Sequence, residues 1–422
     1  SPPAKRRSIL KRDERGLLSK LKRELAFVRG NLLILILSWT IWSPFSHAVG
    51  VYEQVYIMAL GASVFILGLM AAVSSAILGV VRFVGGYVAD RYGRKRILVS
   101  MTFIYSSAIF LYALAPDWRW IFVASIITSI CLLYQPALSA MVMDSVPPEK
   151  RGLGFALSNL LPEVVGLPAP FLAMWLVSSY GLITGMRIAY SMMAASGFLA
   201  ALIRLKLKET WEPRKEAIRD FLSGYRDALR FASERLRTYI AVSVLVNVST
   251  AFNVVIQPFA IYYLGLSLEE WGLLYFVGSI AWLAMIMPAG AIVDKIGRRA
   301  SLAIGTLLMS FSLAALSAVK GMALASFWAI TAIMLALWTS SYLVFNALSA
   351  LEADIMPRGL RGRLMALTAL IFDLAAAAGS AICGWLYEAL GPPYVPLLCA
   401  SSALLSSVIT LAFLREPRER QR

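Results

Sequence analysis

The sequence predicts an all-α polytopic membrane protein with twelve transmembrane helices in two pseudo-symmetric halves of six. Three observations lead to this class. The 422 residues are 59% hydrophobic and only 15% charged, with a mean hydropathy of +0.72, so too few polar side chains are present to cover a soluble globule of this size. Apolar runs of about 20 residues, the length that crosses a bilayer, occur twelve times. A short basic motif also occurs twice, about half a chain apart.

The apolar runs divide the chain into five segments. A basic cytoplasmic arm with an amphipathic helix is expected at 1–30, an N-terminal bundle at 31–205, an amphipathic cytoplasmic linker at 206–237, a C-terminal bundle at 238–414 and a basic tail at 415–422. We number the runs as spans 1 to 12. They lie at 31–58, 62–87, 97–115, 119–143, 153–179, 184–205, 238–263, 271–292, 300–319, 323–348, 363–389 and 394–414.

The charge distribution predicts that both termini are cytoplasmic. Of the 40 Lys and Arg residues, 36 lie in the segments that are inside in this orientation. The net charge of +16 is therefore expected to orient the chain in the cell membrane and to contact lipid, and a nucleic-acid partner is not expected. The three cysteines lie within spans, and no spacing indicates a disulfide framework, a metal site or a cofactor.

The repeated motif ends the second span of each half and precedes the third. Residues 85–96 read Gly-Gly-Tyr-Val-Ala-Asp-Arg-Tyr-Gly-Arg-Lys-Arg, and residues 290–299 read Gly-Ala-Ile-Val-Asp-Lys-Ile-Gly-Arg-Arg. A second pair of loops, after spans 4 and 10, is also duplicated. The aligned pairs are Gly86 with Gly290, Asp90 with Asp294 and Arg94 with Arg298 at an offset of 204 residues, and Asp144 with Asp354 and Arg151 with Arg361 at an offset of 210.

The motif resembles the loop between spans 2 and 3 of the major facilitator superfamily. Its pattern of Gly, Asp, Arg, Gly and two basic residues is matched by Gly86, Asp90, Arg91, Gly93, Arg94 and Lys95. The resemblance implies two six-helix bundles around a central cavity that rock between outward-open and inward-open states. It also implies a monomeric secondary transporter and not an enzyme.

On this basis the duplicated loop residues are expected to act as gates. Gly86 would permit close helix contact. Asp90 could accept hydrogen bonds from Arg94 and from amides at a facing helix N-terminus, which would close the cytoplasmic side of one state. The remaining pairs, Asp144 with Arg151, Asp294 with Arg298 and Asp354 with Arg361, would act in the same way. The alternative is that the basic residues only orient the chain.

Ionisable residues inside spans indicate function, because each is costly in a bilayer unless it is paired or hydrated. Glu163 lies twelve residues after Arg151, and Asp373 lies twelve residues after Arg361. The two acids are therefore duplication partners, both about 18 Å from the cytoplasmic arginine. They are candidate proton carriers; the alternative is that each only packs or pairs helices.

Two further ionisable residues lie in the spans of the N-terminal half. Arg82 is predicted to pair with Asp373 across the seam between the halves, because the family places span 2 against span 11. That pairing would hold the carboxylate ionised and make Asp373 a gate more than a proton carrier. Glu53 is expected to be a polar residue of the cavity.

Substrate contacts are expected from aromatic and amide side chains of spans 1, 4, 7 and 10, although such residues also serve as packing and interfacial anchors. His47, the only histidine, is expected to be a hydrogen-bonded helix residue and not a proton relay. The cavity candidates are Trp39, Trp42, Tyr134, Gln135, Asn247, Asn253, Gln257, Trp338, Tyr342 and Asn346.

The sequence thus favours proton-coupled export of a hydrophobic or cationic small molecule. Two alternatives remain open: uptake or facilitated diffusion of a polar metabolite or lipid, and a membrane sensor or scaffold that does not transport. No Gly-Lys-Ser/Thr phosphate loop occurs, so direct use of ATP is not expected.

Overall fold

A computed structural model describes residues 26–211, 225–320, 326–357 and 359–416. All regular elements in these ranges are helical. Ten helices are long and apolar enough to cross a membrane, and two bent helix pairs bring the number to twelve if each pair is one span. The predicted all-α class is confirmed. The expected helix of the N-terminal arm, the centre of the linker and the end of the tail lie outside the described ranges.

Eight spans are single helices, and four are interrupted. The single helices are span 1 (Asn31–Ala59, with a kink at Tyr52), span 2 (Val64–Tyr92), span 3 (Arg94–Leu114), span 6 (Leu182–Arg204), span 9 (Arg298–Ala318), span 10 (Phe327–Ile355), span 11 (Arg361–Ala389) and span 12 (Tyr394–Phe413). The interrupted spans are span 4 (Trp118–Cys131, Leu132–Tyr134 and Gln135–Asp144), span 5 (Arg151–Gly166 and Ala169–Tyr180), span 7 (Arg237–Thr250, Ala251–Val254, Ile256–Pro258 and Phe259–Tyr263) and span 8 (Leu268–Ile296, bent near Pro288). A linker helix covers Tyr225–Arg235.

The repeated basic motif is a sharp turn and not the loop that the sequence predicted. Helix continues to Tyr92 and begins again at Arg94, so Gly93 alone is outside it, at φ 93°. Gly297 makes the same turn in the second half, at φ 101°. Glycine is the residue that adopts such angles without strain, which explains how two spans can follow each other without a loop.

Carboxylates cap the helices that begin after these turns. A Glu209 oxygen accepts a hydrogen bond from the amide of Lys95 at 3.0 Å. Glu416 accepts from the amides of Arg298 and Arg299 at 2.7 and 2.9 Å. Each glutamate follows the last span of its half, so the carboxylate ties the end of the bundle to the start of its third helix and satisfies amides that have no helical partner.

Spans 2 and 11 pack backbone to backbone along the seam between the halves. A Cβ atom at Gly68 would lie 2.8 Å from the Cα of Gly384, and one at Gly79 would lie 3.0 Å from the Cβ of Asp373. Small residues allow this approach, as is common between membrane helices. The expectation that Gly86 serves this purpose is wrong, since a Cβ there would meet open space at the end where a cavity separates the two spans.

Spans 1 and 7 are kinked at equivalent positions. Tyr52 interrupts span 1 with φ −128° and ψ 15°, and Val255 interrupts span 7 with φ −119° and ψ 10°. The two halves of span 7 meet at 55°. A kink withdraws backbone groups from the helical ladder, and in a membrane those groups must find other partners.

The close contact of spans 2 and 11 can be tested with Gly384→Val. The valine side chain would meet the Gly68 Cα and the Val64 carbonyl, and overpacking of this kind costs about 1–3 kcal/mol. We expect a lower midpoint of thermal unfolding in detergent. Gly86→Ala is the matched control, since its added methyl group has open space; an equal loss of stability in both variants would contradict this packing.

Candidate functional site

One end of the bundle is closed by contacts between spans 1 and 7. We call this end outer and the opposite end inner, following the orientation predicted from charge. The Gln257 side chain accepts from the amide of Gln54 at 2.9 Å and donates to the carbonyl of Gly50 at 2.9 Å. Gln54 reciprocates by accepting from the Gln257 amide at 3.1 Å and donating to the Asn253 carbonyl at 2.7 Å. The two glutamines thus fill the backbone positions opened by the kinks. We call this arrangement the glutamine pair.

Three more hydrogen bonds join the halves near the outer end. The Tyr52 hydroxyl donates to the carbonyl of Leu268 at 2.8 Å, and the indole N–H of Trp271 donates to the carbonyl of Val51 at 2.7 Å. Across the seam of spans 2 and 11, Glu388 accepts from the amide of Phe65 at 2.8 Å. Together with the glutamine pair these bonds form the outer seal.

A central cavity of about 570 Å³ lies between the two halves, on the inner side of the outer seal. Its N-terminal wall carries acidic groups, and its C-terminal wall is mainly aromatic. Trp338 fits there because its ring lies directly against Gly278, where any Cβ would collide with it. The lining residues that carry this character are His47, Glu53 and Glu163 on one wall and Trp271, Tyr275, Trp282 and Trp338 on the other.

A second cavity of about 420 Å³ lies within the N-terminal half. We call it the inner cavity. Four of the predicted substrate contacts line it, which are Trp39, Trp42, Tyr134 and Gln135. His47 and Glu163 line both cavities, so they stand on the boundary between the two.

The predicted substrate contacts of the C-terminal half are only partly in a cavity. Asn253, Gln257 and Trp338 line the central cavity. Asn247 and Asn346 donate instead to carbonyls of their own helices, at 2.8 and 2.9 Å, and neither they nor Tyr342 are among the lining residues described for the two cavities. Tyr342 packs edge-on against Trp282.

The aromatic side chains of span 8 were missed. Trp271, Tyr275 and Trp282 recur at spacings of four and seven residues, which places them on one face of a helix. That spacing was readable from the sequence. What could not be read is that this face points to the cavity and not to lipid, because both environments accept aromatic residues.

The predicted contact between Arg82 and Asp373 is present. One guanidinium nitrogen of Arg82 lies 3.1 Å from both carboxylate oxygens of Asp373, and Nε lies 3.4 Å from the side-chain oxygen of Gln135. Only 15% of the Asp373 side chain is exposed. The pair lies in the seam of spans 2 and 11 beside Gly79, whose lack of a side chain leaves room for the carboxylate. It joins the two halves at mid-depth.

The predicted gate residues form one ion cluster within each half. In the first half, Arg94 lies 2.5 Å from Asp144 and 3.5 Å from Asp90, and its guanidinium stacks over the ring of Trp211. In the second half, Arg298 lies 3.0 Å from Asp354 and 3.2 Å from Asp294. Each arginine therefore joins the inner ends of the second and fourth spans of its own half.

The other predicted gate contacts are not among those that the structure describes. The amides that begin spans 3 and 9 bond to Glu209 and Glu416, and the expected contact of Asp90 with a facing helix N-terminus is not among those described. Arg361 donates to the carbonyls of Ala353 and Met356 at 2.9 and 3.4 Å. The Arg151 side chain is outside the described part of the structure, and Gly290, like Gly86, faces open space.

Comparison with known proteins identifies the family. The family model described as Major Facilitator Superfamily matches residues 25–284 and 238–422, which together cover nearly the whole chain. The chain belongs to the Major Facilitator Superfamily. This transporter is accordingly a multi-pass membrane protein.

Curated relatives and a solved structure agree with this assignment. The transporter is 31% identical over 150 residues to a Na(+), Li(+), K(+)/H(+) antiporter of Planococcus maritimus, covering 34% of each chain. It is 26% identical over 152 residues to the multi-drug resistance efflux pump PmrA of Streptococcus pneumoniae, covering 35% of this chain and 37% of the pump. These matches span about a third of the relatives' length. The crystal structure of a D-xylose-proton symporter superposes with a TM-score of 0.71 at 18% identity, over 93% of this chain and 99% of that one.

The ion pair in the seam of the transporter can be tested by exchanging its charges. Arg82→Gln or Asp373→Asn leaves one partly buried charge without its partner, so we expect transport to fall by roughly tenfold or more in each. The double variant Arg82→Asp with Asp373→Arg restores the opposite charges and should recover much of the loss. Measured rates in proteoliposomes that remain as low as in the single variants would contradict a pairing role.

The outer seal can be tested with Gln257→Ala. This change removes the hydrogen bonds that the side chain makes with Gln54, Val55 and Gly50, so we expect the outer ends of the halves to separate in a larger share of molecules. Spin labels at Tyr180→Cys and Leu390→Cys, both exposed at outer ends of opposite halves, would report a longer distance.

Two features of the chain make this measurement clean. The native cysteines are buried and should not take up the label. Asn247→Ala is the control, because that amide bonds only within its own helix among the contacts described. Equal distance distributions for Gln257→Ala and this control would show that the glutamine pair does not hold the seal.

Proposed function

We propose that this transporter works by rocker-switch alternating access and exports a hydrophobic or cationic small molecule in exchange for protons. The observation that carries the proposal is that the two duplicated acids have different surroundings. Asp373 is paired with Arg82 in the seam, whereas Glu163 faces both cavities with 43% of its side chain exposed. A carboxyl group at mid-depth that water can reach from a cavity can take up and release a proton.

Alternating access is supported by the position of the contacts between the halves. The outer seal closes one end, and the central cavity lies on the inner side of it. In the proposal, residues 31–205 and 238–414 are the two moving bodies, and 206–237 connects them. The ion clusters of Arg94 and Arg298 keep the inner end of each body rigid, and the Arg82–Asp373 pair weights the equilibrium between states.

The cavity wall supports a cationic or lipophilic substrate. Glu53 and Glu163 place carboxyl groups on the wall, and no lysine or arginine is among the lining residues described for either cavity. Aromatic faces attract cations by about 0.5–2 kcal/mol each and also accept apolar groups. The volume of about 570 Å³ is within the range of sites for drug-sized molecules.

The names of two relatives support the direction of transport. One is an antiporter that exchanges monovalent cations for protons, and the other is a multi-drug efflux pump. We further propose that the transporter is a monomer in the cell membrane. Both termini would lie in the cytoplasm, because most of its basic residues are then on the cytoplasmic side.

A flux assay in proteoliposomes tests the proposal. Ethidium, a fluorescent lipophilic cation, is the probe, and a pH gradient is imposed across the membrane. We expect ethidium to move in the direction opposite to that of the protons. Glu163→Gln should abolish the dependence of this flux on the pH gradient, because the amide cannot exchange a proton. Glu149→Gln, the same chemical change in an exposed inner loop, should transport at the wild-type rate.

The same assay decides between the proposal and its alternatives. Flux whose pH dependence survives Glu163→Gln would contradict the coupling role of this residue. Flux that follows the substrate gradient alone would indicate facilitated diffusion. Absence of flux for cations, sugars and lipids alike would favour a sensor or scaffold.

A further inference from the structure

We infer that His47 and Glu163 bind the coupled proton together, as a dyad that holds one proton between them. This inference deepens the proposed function, because it names the second member of the proton site. His47 was expected to be only a hydrogen-bonded helix residue. Its contacts indicate instead that it takes part in proton binding.

The imidazole of His47 faces the carboxylate of Glu163. Nε2 of the ring lies 3.5 Å from Oε2 of the acid. The side chains are 30% and 43% exposed, so both are sheltered by protein but reachable from the two cavities that they border. The contact joins span 1 to span 5 within the N-terminal half.

A short chain of hydrogen bonds determines which ring nitrogen carries hydrogen. Ser43 Oγ lies 2.7 Å from the carbonyl of Pro162, and a carbonyl can only accept, so the serine proton is donated there. The same oxygen lies 3.5 Å from Nδ1 of His47. Since the only hydroxyl proton is used, this contact is favourable only if Nδ1 carries the hydrogen and donates it.

This tautomer decides what happens on the other side of the ring. A neutral imidazole with hydrogen on Nδ1 presents a lone pair at Nε2. That lone pair and an ionised carboxylate would face each other as two acceptors. One proton between them removes the conflict, either as imidazolium with carboxylate or as neutral imidazole with carboxylic acid. In this arrangement the two side chains therefore share one proton.

The backbone of span 5 leaves space for the imidazole ring of His47. A Cβ atom on Gly166 would lie 1.9 Å from Nδ1 of His47, and Pro162 and Gly166 come from the same helix as Glu163. Only a glycine lets the imidazole lie against span 5 at this point. Ser43, Pro162 and Gly166 thus hold the ring in one orientation.

Other titratable groups face the dyad from four elements. All are acids or phenols, and no lysine or arginine is among the lining residues described for either cavity. They are Glu53 on span 1, Tyr105 on span 3, Tyr134 on span 4 and Tyr275 on span 8.

The single histidine of the chain makes the dyad directly observable. Protein labelled with [15N]histidine and purified on an affinity tag without histidine gives the signals of one imidazole. In wild type we expect the neutral ring to carry hydrogen on Nδ1. In Glu163→Gln we expect the ratio of imidazolium to imidazole at about pH 6 to fall roughly tenfold, because the carboxylate no longer stabilises the cation. In Ser43→Ala the tautomer with hydrogen on Nε2 should increase.

The control and the contrary outcomes are equally direct. Glu53→Gln removes a carboxylate from the same wall without touching the ring, and should change the ratio less than Glu163→Gln does. A wild-type ring with hydrogen on Nε2, or a ratio that changes less than about twofold in Glu163→Gln, would overturn the dyad. If the ring of His47 responds to Glu163→Gln as described but ethidium flux is independent of the pH gradient, the proposed function fails and the proton site stands. If flux is proton-coupled and the protonation of the His47 ring does not change in Glu163→Gln, the inference alone fails.

Discussion

The joint between spans 1 and 7 is the contact on which the two-body arrangement depends. A straight membrane helix uses its own carbonyls and amides, so it has little to offer a partner helix. The kinks at Tyr52 and Val255 release those groups, and the reciprocal side chains of Gln54 and Gln257 bind them across the interface. Each half thereby completes the backbone hydrogen bonding of the other. The bonds are few and directional, so in the proposed rocker-switch mechanism they would break together as the halves move apart.

The duplicated residues have diverged where the two halves meet. Near the inner ends the halves remain alike, since Arg94 and Arg298 each bind two aspartates and a glutamate caps the following helix in both. At mid-depth the copies differ, because span 2 brings Arg82 to Asp373 whereas span 1 brings His47 to Glu163. The guanidinium of Arg82 keeps its charge, whereas an imidazole can exchange a proton with a neighbouring carboxyl group. Equivalent positions can thus acquire different chemistry through one neighbour.

In this conformation the predicted gate residues whose contacts are described bond within their own half and not across the seam. Arg94 and Arg298 join helices of their own bundles, and the single-residue turns at Gly93 and Gly297 leave no loop that could move independently. In the proposed mechanism these contacts would keep the inner end of each bundle rigid and confine the motion to the seam. In that seam the described contacts include the outer seal, the glycine packing of spans 2 and 11, the contact of Phe171 with Phe276 and one ion pair.

The sequence by itself determined the class of fold and the duplication and predicted twelve spans, because hydropathy, charge and repeat spacing act through length and distance along the chain. The pairing of Arg82 with Asp373 was predicted from these spans together with the resemblance to the superfamily, which places span 2 against span 11. Tertiary structure alone decided which polar side chains reach a cavity. Trp338 and Gln257 face one whereas Asn247 bonds to its own helix, although all three lie in spans predicted to line it. Gly86 faces open space whereas Gly68 and Gly384 touch, although the local sequence does not distinguish Gly86 from the other two glycines. Helix rotation and kinks set these outcomes, and both arise from packing against other helices that no local pattern encodes.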